Sequence, residues 1–403
     1  MSDYVIRGDR PVLVYKKCDA LFFISVLLLW GLGIFTILIC TQGVGERFFH
    51  DRYYFLWRQL AYSVVGAAGL VFFAVFPVKM IRKITFYFAI ASVFLCLLAL
   101  LPGIGSSRNG APRWISIPHV ITFQPSELIK FTMVLYLSNL FDKHFQEYEE
   151  NNREFMYPAM ALVVLSGSVF IQRDLSTSVM IFGIGVAMFI VSGSPLRAFI
   201  PLITLIIPTA VLMTLTHRYR LLRILSFLKP SDYTSTSGYQ ALASERAISA
   251  GGIWGVGTGS GLEKLSSIPE IQTDYIFAGW ATAMGLVGVI AYFLLLGIFL
   301  FRGLVISFNC PNKFASFASF GCVFTIATQS VVNCAVVCGA APTTGIPLPF
   351  FSSGGSSLIV TLCMCGFVIN ASHCDADNDY GGDRNKKRNI EEKESFGETV
   401  VEL

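Results

Sequence analysis

Ten long apolar runs divide this chain, and no other feature limits its fold so strongly. They fall at 20–41, 59–76, 84–102, 125–141, 157–172, 176–193, 196–216, 274–301, 314–337 and 354–371. A helix needs about 20 mainly apolar residues to cross the hydrocarbon of a bilayer. Composition agrees: only 14% of residues are charged, against roughly 25% in ordinary globular chains. Mean hydropathy is +0.63. So few charges cannot clothe a water-facing surface of this size, so the surrounding solvent must be largely lipid. The expected fold is an all-α polytopic membrane protein, a ten-transmembrane-helix bundle with both termini on one side. Runs 125–141 and 157–172 are short and polar at their ends, which predicts places inside the bundle.

Other classes are excluded by the same residues. A net charge of +4 is spread between apolar runs, so there is no nucleic-acid footprint. Most of the ten cysteines sit within those runs, where thiols behave as small hydrophobes, and no paired Cys/His spacing suggests zinc. The first run lacks a small-residue cleavage site and reads as an anchor, not a removable signal. Counting Lys and Arg places the N-terminus inside: seventeen basic residues fall on that side and twelve on the other, half of the twelve in one long loop. Residues 1–18 form a polar lead-in, 19–372 the membrane domain, and 373–403 a charged tail expected to be disordered. The loop at 217–273 is far longer than a connector needs, which is typical of functional loops. No internal repeat is visible.

Polar and ionisable groups at membrane depth are costly, which makes each a functional candidate. They gather in four places on the expected outer side. The first contains Arg113-Trp114, then Gln124-Pro125-Ser126-Glu127 and Lys130. Pro125 suits a first helical turn, and Glu127 within that turn is favoured by the helix dipole. Capping plus an internal ion pair would explain these residues without any ligand. The second is Gln172-Arg173-Asp174, where Asp174 can cap the following helix with Arg173 as its counter-charge.

The third is the long loop, with Gly238-Tyr239-Gln240, Glu245-Arg246 and six glycines between 251 and 261. It is no phosphate-binding P-loop, since the Gly-Lys-Ser/Thr ending is absent; a flexible re-entrant turn is the plain alternative. The loop closes on Pro269-Glu270-Ile271-Gln272-Thr273-Asp274. Asp274 heads an apolar run and can be a base, a metal ligand or a cap. The fourth is Pro342 to Ser357, rich in proline and glycine and uncharged, which predicts a loop packed against protein at membrane depth.

Together these motifs resemble the SEDS family (shape, elongation, division and sporulation), which includes the FtsW, RodA and SpoVE proteins. The resemblance covers nearly the whole chain. It rests on R-W-I with Q-P-S-E-L-I-K, on G-Y-Q, on P-E-x-x-T-D-Y-I-F-A, and on P-x-T-G-I-P-L-P-F with S-x-G-G-S-S. It implies a glycosyltransferase that polymerises lipid II into glycan strands outside the cytoplasmic membrane. It also implies a class B penicillin-binding protein as transpeptidase partner, within a divisome or elongation complex. The family's essential aspartate falls on Asp274, the expected general base. Arg58, Arg113, Lys130, Arg246 and Lys264 are the cations available to a diphosphate, with Arg58, Arg113 and Lys130 favoured by the family pattern. Gln124, Ser126, Glu127, Asp174, Gln240 and Ser352 complete the expected substrate site. A divalent cation, Mg or Mn, is an alternative source of positive charge.

Three positions depart from the family pattern. Gln272 stands where His is usual, Ala283-Met284 where an acidic pair is usual, and Ser353 where Tyr is usual. The 342–357 segment looks more like FtsW or SpoVE than RodA, which favours division over elongation. A lipid II flippase and a non-catalytic scaffold for the transpeptidase are the competing classes. Asp274→Ala separates them: an enzyme loses polymerisation, a flippase loses transport, and a scaffold keeps its partner.

Overall fold

The computed structural model describes residues 19–108, 111–117, 121–144, 156–193, 218–229, 237–259, 265 and 268–373. The expected lead-in 1–18, the run 196–216, Lys264 and the tail beyond 373 lie outside these residues.

Nine of the ten apolar runs coincide with a described helix. These are α1 (Ala20–Cys40), α3 (Tyr54–Val75), α4 (Val78–Leu98), α5 (Pro125–His144), α6 (Met156–Ile171), α7 (Leu175–Val191), α10 (Ile276–Asn309), α11 (Lys313–Val337) and α12 (Gly355–Ala371). Three helices lie between them: α2 (Gln42–Phe49), α8 (Arg218–Leu228) and α9 (Ser237–Gly251). Five of the twelve, α1, α3, α4, α10 and α11, are long and apolar enough to cross a membrane by length and composition alone.

The helix starts are set by local chemistry. Asp19 caps α1, accepting from the Phe22 amide at 2.9 Å, and its carboxylate also pairs with Arg302 of α10. Pro125 opens α5 with Glu127 in the first turn, as its missing N–H and the helix dipole dictate. Many hydroxyls within spans return to their own helix: Thr36 donates to the Leu32 carbonyl and Ser138 to that of Val134, both at 2.7 Å. No polar group then faces hydrocarbon unpartnered at those positions.

Burial separates bundle from periphery. Phe131, Met133, Val134, Leu135 and Leu137 of α5 are all buried, so this helix is the core, as its polar ends predicted. Helix α6 is core on one face only: Met156, Tyr157, Met160 and Val164 are exposed, whereas Leu162, Leu165, Ser166 and Val169 are buried. The same apolar exposure covers Val64, Val65 and Val75 of α3 and Leu286, Ile290 and Leu294 of α10. Helices α3 and α12 approach closely: a Cβ on Gly366 would lie 2.2 Å from the Leu70 carbonyl oxygen. Small residues permit such contact where lipid offers no hydrophobic drive.

The all-α expectation misses one element. Strands β1 (Gly105–Arg108), β2 (Ala111–Ile117) and β3 (Ile121–Phe123) form a small antiparallel sheet in the order β1-β2-β3, leading directly into α5. Cross-strand pairs Ser106↔Trp114 and Ile115↔Phe123 set its register.

The glycine-rich stretch is not a loose turn. Helix α10 breaks at Gly285, whose φ of 63° and ψ of −163° no helix accommodates. The break orphans backbone groups on both sides, and residues 252–257 satisfy them. Val256 and Gly257 donate to the carbonyls of Thr282 and Ala283, at 3.0 and 3.1 Å. Leu286 and Val287 donate in return to Gly252 and Ile253, at 3.0 and 3.2 Å. The strap needs glycine because the two backbones almost touch: a Cβ on Gly255 would sit 2.1 Å from the Ala283 carbonyl oxygen. Ala283-Met284, the departure from the usual acidic pair, lies at this break.

Candidate active site

The four polar clusters converge at one end of the bundle, where α3, α5, α7, α10 and α12 begin and α11 ends. Asp274 lies in the turn before α10. The N-cap of that helix is Tyr275, with no side-chain capping bond, so the Asp274 carboxylate is not spent as a cap. Glu270 takes a left-handed φ of 56°. This turns its carbonyl to accept from the amides of Thr273 and Asp274, both at 3.1 Å. Its carboxylate is held by the Thr273 hydroxyl at 3.0 Å and by the Gln272 amide at 3.2 Å. Gln272, at the usual histidine position, therefore acts on Glu270.

The proline- and glycine-rich segment closes over this turn, as its lack of charge predicted. Ser352 Oγ accepts from the Leu348 amide at 2.7 Å and donates to the Thr273 carbonyl at 2.5 Å. The Ser353 amide donates to the Gln272 carbonyl at 2.8 Å. Asn333 of α11 joins the two segments through the carbonyls of Asp274 and Ile346, both at 2.9 Å. A Cβ on Gly345 would lie 3.7 Å from Asp274 Oδ2, so this loop forms one wall beside the carboxylate.

Electrostatics single out Asp274. Burial, then the neighbouring Glu270 carboxylate, push its pKa up to about 6, while Arg223 and Arg113 pull it down and Asp174 adds to the rise. A carboxylate in that range can be ionised at neutral pH and still take a proton, which suits a general base.

The cations divide into two kinds. Lys130 Nζ lies 2.7 Å from Glu127 Oε2 and donates to Gln329 Oε1 at 3.0 Å, with both charged side chains almost wholly buried. Gln329 in turn donates to the Pro347 carbonyl at 3.0 Å. Lys130 is thus engaged as a strut between α5, α11 and the proline segment. Arg58 of α3 donates to the hydroxyls of Tyr54 and Tyr62, at 3.2 and 3.1 Å, and is not among the charges that Asp274 feels.

Arg113 of β2 behaves differently. It lies 3.5 Å from Asp174 Oδ1 and donates to the Arg173 carbonyl at 3.1 Å. Asp174 caps α7 as expected, accepting from the Thr177 amide at 3.3 Å. Its counter-charge is Arg113, however, and not Arg173, whose left-handed φ of 62° presents its carbonyl to the cluster instead. Of the remaining expected residues, Ser126 is buried with its hydroxyl unpartnered among the described residues, and the Gln124 amide donates to Ser356 Oγ at 3.4 Å. Gln240 is half-buried on α9, whereas Arg246 is exposed on the same helix and absent from the charges felt by Asp274.

Four participants were not anticipated: Arg220 and Arg223 of α8, and Asn333 and Gln329 of α11. Arg220 donates to the Arg173 carbonyl and Arg223 to that of Thr343, each at 3.2 Å. The two arginines are three apart and share a helix face. That spacing was legible; the segment they would meet was not.

Fold and site define a multi-pass membrane protein with a buried, raised-pKa carboxylate and arginines at one end of its bundle. The chain belongs to the FtsW, RodA and SpoVE family of cell cycle proteins, whose pattern it matches over residues 19–376. It is 31% identical over 357 residues to a "probable peptidoglycan glycosyltransferase FtsW" of Geobacter metallireducens, covering 89% of this chain and 95% of the relative. To stage V sporulation protein E of Bacillus subtilis it is 32% identical over 355 residues, covering 88% and 96%. A chain of a peptidoglycan synthase complex, solved for its coordination of polymerization and crosslinking, superposes with a TM-score of 0.73 at 26% identity. That match covers 90% of this chain and 99% of the other. RodA of Thermus thermophilus shares the fold, with a TM-score of 0.63 at 22% identity over 88% and 96% of the two chains.

Proposed function

We propose that this protein is a peptidoglycan glycosyltransferase of cell division, polymerising lipid II with Asp274 as general base. The observation that carries the reading is the Asp274 carboxylate itself. Among the described residues it is neither a cap nor locked in an ion pair, its pKa is raised to about 6, and arginines stand beside it. The acceptor 4-hydroxyl oxygen attacks the anomeric carbon of the donor. The bond from that carbon to the diphosphate oxygen breaks, and its electron pair leaves with the polyprenyl diphosphate. The hydroxyl proton passes to Asp274. An α-linked donor and a β-linked product make this one inverting displacement.

The reaction belongs on the outer face of the cytoplasmic membrane, with both termini cytoplasmic; the distribution of Lys and Arg supports this orientation. A class B penicillin-binding protein is the proposed partner, supported by the likeness to a chain of a synthase complex that couples polymerization to crosslinking. No group of three His, Cys, Asp or Glu side chains forms a metal cage among the described residues. A Mg or Mn ion would be held chiefly by diphosphate oxygens with one carboxylate, a common mode for Mg, and would supply positive charge to the leaving group.

The test is polymerisation of labelled lipid II by the protein with its cognate transpeptidase, wild type against Asp274→Asn, with partner co-purification as the folding control. Glycan ladders from wild type alone support the reading. Ladders from both remove Asp274 from the chemistry, and none from either, with the complex intact, favours a scaffold or flippase.

A further inference from the structure

The leaving diphosphate needs positive charge where its bond breaks, and two of the expected cations are occupied elsewhere. Lys130 is paired with Glu127 inside the bundle, and Arg58 is bound by two tyrosine hydroxyls. Positive charge gathers instead where β2, the turn before α7, and α8 meet. Arg113 and Arg220 donate to the same carbonyl, that of Arg173. Arg223, on the same face of α8 as Arg220, donates to Thr343 in the wall beside Asp274.

The guanidiniums are close enough to disfavour one another. The pKa of Arg220 is lowered by burial and then by Arg113, Arg173 and Arg223, while Asp174 pulls it back up. Among the described residues Arg113 Nε is buried without a partner, and so is the hydroxyl of Thr343, whose carbonyl Arg223 holds. A buried unpaired donor is costly unless a ligand oxygen meets it. Like charges assembled beside one carboxylate, with donors unmet, are a site built for a multiply charged anion. Guanidinium forks match phosphate oxygens in geometry.

We infer that Arg113, Arg220 and Arg223 form the clamp for the donor's polyprenyl diphosphate, holding the leaving group beside Asp274. This inference rests on the polymerase reading for its place in the reaction, but the binding site is testable without turnover. A single carboxylate of a peptide stem would not balance three arginines, whereas a diphosphate gains charge as the sugar departs.

The experiment titrates the full-length protein in nanodiscs with undecaprenyl diphosphate and, in parallel, undecaprenyl monophosphate. Wild type is compared with Arg220→Gln, Arg223→Gln, and Arg47→Gln as an exposed control on α2. We expect the diphosphate to bind more tightly than the monophosphate, with salt weakening both. Each clamp variant should lose about tenfold or more in diphosphate affinity, the usual scale for a charge-assisted hydrogen bond, while Arg47→Gln stays within twofold. Arg220→Lys and Arg223→Lys keep the charge and guard against misfolding, and should recover part of the loss. Clamp variants that bind like wild type, or a wild type indifferent to the second phosphate, overturn the inference. A wild type that binds diphosphate but never polymerises lipid II would sink the polymerase reading and leave the clamp standing.

Discussion

One amide of Asn333 ties the Asp274 turn to its wall, with Nδ2 donating at 2.9 Å both to the carbonyl of Asp274 and to that of Ile346. A single residue of α11 thereby sets the distance between the turn that carries the carboxylate and the proline-rich segment facing it. Asn333→Ala leaves both carbonyls unpartnered, at a cost of about 2–4 kcal/mol by the usual penalty for two buried acceptors. Thermal unfolding in detergent should fall accordingly. Because Asn333 positions the base without touching substrate, kcat should drop while KM for lipid II changes little. A change in KM alone would contradict this role.

Asp274 couples activity to pH. Its pKa of about 6 predicts a polymerisation rate that falls as pH drops through that value, because the protonated acid accepts no proton. The stability effect has the opposite sense. A carboxyl whose folded pKa is raised favours the protonated form in the fold, so its contribution is present below the unfolded pKa and lost as pH rises through 6. Asp274→Asn should then be more stable than wild type at pH 7.5, by up to about 3 kcal/mol, and unfold at a higher temperature while losing polymerisation. A variant less stable than wild type would show that favourable contacts to the ionised carboxylate outweigh the cost of burying it.

The Glu127–Lys130 pair predicts strong non-additivity. Removing one partner of a buried ion pair typically costs about 3–5 kcal/mol, because the other charge is left stranded. Lys130→Met and Glu127→Gln should each destabilise strongly, and the double variant should cost much less than the sum of the two. Additive losses in thermal or denaturant unfolding would mean that the charges do not support each other.

The strap across the break in α10 is open to direct test. Gly255 holds a φ of 81° and Gly285 one of 63°. Alanine at either meets both a left-handed penalty of about 1–3 kcal/mol and a backbone contact far shorter than van der Waals distance. Hydrogen exchange at the amides of Val256, Gly257, Leu286 and Val287 should accelerate together in Gly255→Ala. Acceleration at only one side of the break would argue against a cooperative strap.

Much of this protein was legible along the chain. Apolar runs placed α1, α5, α6, α7, α11 and α12 to within a few residues and found α3 and α4 with their starts displaced, because transfer into lipid is a property of the local segment. Asp174 and Pro125 marked helix starts for equally local reasons, and Glu127 with Lys130 could be read as an ion pair from spacing alone. Motif resemblance pointed to Asp274 before any geometry was known.

Tertiary structure decided what depends on residues far apart in sequence. An apolar run across 274–301 carries no sign that it breaks at Gly285, since the partners that make the break tolerable lie in 252–257. Arg173 stood next to Asp174 and looked like its counter-charge, yet Arg113 reaches that carboxylate. Arg58 and Lys130 looked available to a diphosphate, yet tyrosine hydroxyls bind the first and Glu127 and Gln329 the second, while Arg223 of α8 stands with Arg113 among the charges felt by Asp274. Hydropathy and capping act within a few residues, and so sequence determines the spans and their ends. Hydrogen bonds and ion pairs pair whichever groups packing brings together, and so only the folded bundle decides which charges face Asp274.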